Sequence, residues 1–154
     1  MYKPLICLLL GLFLLPNSVA SEDKQHDKWL KEKFAEQHQA LIPKVLVADI
    51  FYACNQDKGV DPIPYKLADI ITKMPADRLA DKVTECLGND DIKSEQAIDY
   101  GLIACFKEQL SELPAKEREQ KFAMVKKAIA ALSLEEKQRS LTHCVTDQAI
   151  AYLQ

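Results

Sequence analysis

The sequence predicts an all-α fold of about seven helices, arranged as two pseudo-repeated three-helix units plus an N-terminal helix and stapled by two disulfides. Three observations predict it. Apolar residues recur at i, i+3, i+4 and i+7 along almost the whole chain after residue 25, the spacing that places them on one helix face. Prolines and single glycines punctuate this pattern at helix length. An Ala-Cys step occurs twice, at Ala53-Cys54 and Ala104-Cys105, and each is followed by one further cysteine, Cys86 or Cys144.

Residues 1–20, MYKPLICLLLGLFLLPNSVA, read as a secretory signal peptide: Lys3, an apolar run from Leu5 to Leu15, Pro16, and the small-residue pattern Ser18-Val19-Ala20 before cleavage. The run is roughly half the ~20 apolar residues that a membrane-spanning helix needs, so no transmembrane anchor is expected after cleavage. Removal of Lys3 takes the formal charge from −3 to −4, and Cys7 leaves with the peptide. The remaining residues, 21–154, have the size of one domain.

In HDKWLKEKFAEQHQALI, Leu30, Phe34 and Leu41 fall at helical intervals. Ile42-Pro43 predicts a break, because a residue before proline avoids the helical region, and a second helix from Pro43 to about Gln56 carries Val47, Ile50, Phe51 and Cys54 inward. Val45-Leu46-Val47 is the one strand-like stretch, and its surroundings are helical. Gly59 ends this helix and VDPIP is an extended loop. Leu67, Ile70, Ile71 and Met74 mark the next helix, and Leu79, Val83, Cys86 and Leu87 the one that starts at Pro75 and closes at Gly88. A polar loop, Asn89 to Lys93, precedes Ser94, which caps a helix bearing Ile98, Leu102, Cys105, Phe106, Leu110 and Leu113. Beyond Pro114, Phe122, Val125, Ile129 and Leu132 define another. Ser133-Leu134-Glu135-Glu136 is a capping box that opens the last, with Leu141, Cys144, Val145 and Tyr152 inward.

Aligned on Cys86 and Cys144, the chain matches itself without a gap: Thr84 meets Thr142, Val83 meets Leu141, Ile71 meets Ile129, Leu67 meets Val125, and Pro75 meets Ser133. The cysteine spacing is longer in the second unit, 105 to 144 against 54 to 86, and the added residues fall around SELPAKEREQ. An even number of cysteines in an exported chain predicts a disulfide framework, and the repeat selects Cys54 with Cys86 and Cys105 with Cys144 among the three possible pairings.

The same residues argue against several chemistries. No C-x-x-C supports redox exchange, and His143 adjoins Cys144 at the ~100° helical offset that is poor for proton transfer. His26, His38 and His143 form no H-x-x-x-H, and no glycine-centred loop ending in Glu supports calcium, so neither metal nor cofactor is expected. G-x-S-x-G and phosphate loops are missing, and no cluster of Lys and Arg fits nucleic acid. No catalytic residue stands out.

Elimination leaves binding. The expectation is an exported, non-enzymatic module that contacts another protein of the cell envelope, as an inhibitor, an immunity-type protein or an accessory protein, in the periplasm or, alternatively, secreted. The candidate surface is Tyr52, Asp57, Lys58, Asp61, Tyr65 and Tyr100, around the rigid loop DKGVDPIPY, with aromatic side chains as contact area. The competing expectation places these aromatics in the core. A carrier of a lipid or other small apolar ligand, held in an interhelical cavity, is the alternative function.

Overall fold

A computed structural model of the chain describes residues 19–154, with side chains from residue 24 onward. The signal-peptide reading falls almost wholly on residues 1–18, outside the described part. Six helices follow in order: α1 (Val19–Lys58), α2 (Leu67–Lys73), α3 (Ala76–Leu87), α4 (Glu95–Gln109), α5 (Ala115–Ala131) and α6 (Leu134–Ala151). No strand occurs among the described residues. They fall into two compact units that part between Lys33 and Phe34.

The first unit is helical and solvent-facing. Trp29 and Leu30 are exposed, His26 stacks on Trp29, and Lys28 pairs with Glu32 one turn on. The second unit, Phe34–Gln154, contains the core.

The helix count differs from the expected seven at one place. Pro43 lies inside α1 instead of starting a new helix. Its missing N–H deprives the Gln39 carbonyl of a helical donor, but both residues are exposed, so that carbonyl can turn to water. Meanwhile Leu41, Ile42 and Leu46 pack on the core, and Val45 and Ala48 are fully buried. Packing on both sides of the proline holds the helix across it.

The remaining elements follow their punctuation. Gly59 and Gly88 take positive φ, 63° and 68°, just after α1 and α3, where a side chain would strain the turn. Ser94 Oγ accepts the Ala97 amide at the head of α4. At α6, Ser133 Oγ accepts from the Glu136 amide while the Glu136 carboxylate accepts from the Ser133 amide, the reciprocal box expected there.

Both disulfides are those the repeat selects. Cys54 of α1 joins Cys86 of α3 over 32 residues, and Cys105 of α4 joins Cys144 of α6 over 39. Ile71 and Ile129 are both buried, as are Val83 and Leu141, and Pro75 and Ser133 stand at the N-termini of α3 and α6. The two triplets differ in the middle helix. α2 buries Leu67, Ile70 and Ile71, whereas α5 buries only Ile129.

α4 and α6 meet where Gly101 faces Leu141. A Cβ on Gly101 would lie 3.0 Å from both terminal methyls of Leu141 and 3.3 Å from Ile50, so the missing side chain lets the helices approach. Lys137 of α6, almost wholly buried, adds a polar tie: its ammonium lies 2.8 Å from Glu95 and 2.9 Å from Asp99, both on α4.

Candidate functional site

The loop after α1 is short and carries two prolines, which restrict its backbone before any contact is made. Side chains then fasten it. Asn55, in the last turn of α1, clamps Asp61 from both sides: its amide donates to the Asp61 carbonyl at 2.9 Å and its carbonyl accepts the Asp61 N–H at 2.7 Å. The Asp61 carboxylate then accepts from the Ile63 amide at 3.0 Å, from the Tyr65 hydroxyl at 2.8 Å and from the Lys82 ammonium of α3.

Charge concentrates here. The Lys82 ammonium, followed by the Ile63 amide, holds the Asp61 carboxyl down at about 2. Asp61 in turn raises Lys82 above the usual lysine range. The same ammonium lies 5.4 Å from the Tyr65 ring centre and 5.8 Å from that of Phe51, within cation–π reach, and the two rings meet edge to face. A concavity of about 280 Å³ opens beside this hub, between Tyr52, Asn55, Asp61, Ile63, Pro64 and Tyr65.

The structure therefore brings Tyr52, Asp61 and Tyr65 of the expected surface into one concavity, and leaves Asp57, Lys58 and Tyr100 outside it. Tyr100 is buried and presents no ring surface. Its hydroxyl donates to Asp57 at 2.6 Å, and burial, reinforced by Asp57, pushes the phenol up to about 12. Lys58 donates to the Cys86 carbonyl at 3.0 Å, tying the end of α1 to the end of α3. Tyr52 is half-buried beneath Lys107, whose ammonium lies 5.9 Å from the ring centre. The loop shows Val60 and Ile63 to solvent, 38% and 46% exposed, beside exposed Pro62, Pro64 and Lys66.

Lys82 and Asn55 escaped the sequence reading. Asn55 is adjacent to Cys54 and has a side chain suited to local backbone bonds. Lys82 gives no local signal, because it lies 21 residues from Asp61 in a helix rich in charge.

His38 and His143 make their contacts outside this loop. His38 Nε2 lies 2.9 Å from the Thr146 carbonyl. His143 Nδ1 lies 3.1 Å from Asp147 on the same exposed face of α6, near Ser140 and Gln109 in a shallow cleft of about 380 Å³. His143 is 81% exposed, so water screens the pair. Among the described residues, no three His, Cys, Asp or Glu side chains gather to hold a metal ion, and no helix is long and apolar enough to cross a membrane.

Compared with protein-family models, curated proteins and solved structures, the chain matches none.

Proposed function

We propose that this chain is an exported, non-enzymatic binding module that contacts another protein of the cell envelope through loop 59–66. The supporting observation is the pairing of a latched backbone with apolar tips. Asp61 is engaged by Asn55, Ile63, Tyr65 and Lys82, all within the molecule, while Val60 and Ile63 face solvent. An exposed isoleucine on a pre-ordered loop enters an interface without a large ordering cost, which is how rigid loops reach useful affinity. The neighbouring concavity between Tyr52, Pro64 and Tyr65 supplies a complementary hollow for one side chain of the partner. The periplasm is the proposed compartment, on the ground that paired cysteines persist where export delivers them to oxidising conditions.

Site-specific photocrosslinking in the source cells tests this. A crosslinker placed at Ile63 should give one discrete protein adduct, lost when Val60 is changed to Ser or Asp61 to Asn, while a crosslinker at exposed Gln120 on α5 should give none. Identical adduct patterns from both positions, or none from Ile63, would refute the loop as the contact. Osmotic release of the protein from the same cells checks the compartment.

A further inference from the structure

A second concavity, sharing no residue with loop 59–66, opens in the unit formed by residues 34–154. Its volume is about 330 Å³. Leu46 of α1, Ile98 of α4, and Leu141 and Val145 of α6 form its walls, and Ile92 and Lys93 of the turn after α3 form its lip. Apart from Gln138 and Thr142 of α6, the walls are branched aliphatic side chains without an aromatic ring, suited to a hydrocarbon chain more than to a flat ring that stacks. Lys93 is the one charged residue among those lining the cleft, and no carboxylate lines it.

The acids flanking Lys93 are engaged elsewhere. Glu95, two residues after Lys93, pairs with Lys137 at 2.8 Å, while Asp91, two residues before Lys93, turns its carboxylate onto the Lys93 amide at 2.7 Å and its carbonyl accepts the Ser94 amide at 2.9 Å. Those bonds fix the turn from which the Lys93 side chain departs, with Ile92 half-buried beside it against the core. No ion pair of the Lys93 ammonium is found among the described residues. An apolar trough with a single cation at its rim is complementary to a molecule with one hydrocarbon chain and one negative head.

We propose that this cleft binds a single-chain anionic amphiphile of the medium-chain carboxylate class, with the hydrocarbon against Leu46, Ile98, Leu141 and Val145 and the head at Lys93. The volume sets the size. At the small end of the roughly 300–1,000 Å³ of ligand sites, it takes one short chain and excludes a two-chain phospholipid.

The test titrates decanoate, decanol and decyltrimethylammonium into isotope-labelled protein and follows methyl and amide NMR shifts. Decanoate should move the methyls of Ile98, Leu141 and Val145 at millimolar or lower concentration, decanol should bind more weakly, and the cation should not bind. Lys93→Gln, at an exposed position, should weaken decanoate roughly five-fold while leaving decanol unchanged. Thr142→Trp, also exposed and on the cleft margin, should block both ligands with the fold intact by circular dichroism. Three results overturn the proposal: no cleft shifts at millimolar decanoate, equal binding of all three probes, or decanoate affinity indifferent to Lys93→Gln.

Discussion

Gln148 of α6 reaches Asp49 of α1 with its amide 3.1 Å from Oδ1, and among the described residues this is the one hydrogen bond the fully buried carboxyl receives. Asp49 Oδ2 and Gln148 Oε1 are both left without partners, two acceptors in one buried pair. Burial raises the Asp49 carboxyl well above the ordinary range, Gln148 opposes that shift, and Glu108 adds to it; the Tyr152 hydroxyl, itself pushed up by burial, donates to Glu108 at 3.2 Å beside them. A proton on Oδ2 turns that atom from acceptor to donor, which is what the unpartnered Oε1 requires.

The sign of the pH dependence follows. A carboxyl whose folded-state pKa is raised favours the fold fully below the unfolded value near 4, and the advantage is lost as pH climbs toward the folded value. Asp49→Asn keeps shape and supplies a permanent donor, so it should stabilise the protein at pH 8, by about 1–3 kcal/mol, and much less at pH 4. Urea unfolding at both pH values measures this. Destabilisation by Asn at pH 8 would show that the ionised carboxylate is the native form.

Each disulfide should contribute nearly equally. In the chain-entropy picture, loops of 32 and 39 residues differ by only about 0.2 kcal/mol, and each bridge stabilises by roughly 3–4 kcal/mol. Cys54→Ala with Cys86→Ala, and Cys105→Ala with Cys144→Ala, should lower the unfolding free energy by similar amounts in denaturant titrations. A gap of several kcal/mol between the two double variants would show that local packing, not loop closure, dominates.

The loop latch should fail in acid as it does by mutation. Asp61 lies below its ordinary range, so the stabilisation it provides is complete above the unfolded value near 4 and disappears as pH falls through about 2. Asp61→Asn should therefore open loop 59–66 at neutral pH. Hydrogen exchange at the Ile63 amide, which donates to Asp61, should accelerate several-fold, with the core of α4 unchanged.

Lys137 is nearly buried while Glu95 is mostly exposed and Asp99 partly so, which makes the ion pairs unequal in screening. Lys137→Ala removes the cation and leaves two carboxylates one turn apart on α4, a loss of roughly 1–2 kcal/mol after allowing for their access to water. Lys137→Met keeps the buried stem and should lose less. Thermal unfolding of the two variants separates stem from charge.

The helical scaffold was legible because its signals are local. Caps at Ser94 and Ser133, glycines at 59 and 88, and apolar spacing act over a few residues, and the matched cysteines turned a local pattern into a pairing. Pro43 misled for the converse reason: its local preference was overridden by Val45, Ala48 and their neighbours packing on the core. At the candidate site, Asp61 and Tyr65 were visible as turn and aromatic residues, whereas Lys82 arrives from another helix. Asp49 had a signal that went unused, a lone acid inside the apolar run from Val45 to Cys54. Lys137 had none, since nothing in Glu-Glu-Lys-Gln-Arg distinguishes the charge that turns inward.

α5 has a single buried residue, Ile129, and it lies between the two cysteines of the second bridge. Any detachment of α5 is consequently a closed excursion. The segment stays anchored at 105 and 144 and cannot gain the freedom of an open chain, so it returns to its seat by a short search. Oxidation therefore confers resilience on this sparsely buried helix, and a reducing milieu would withdraw it.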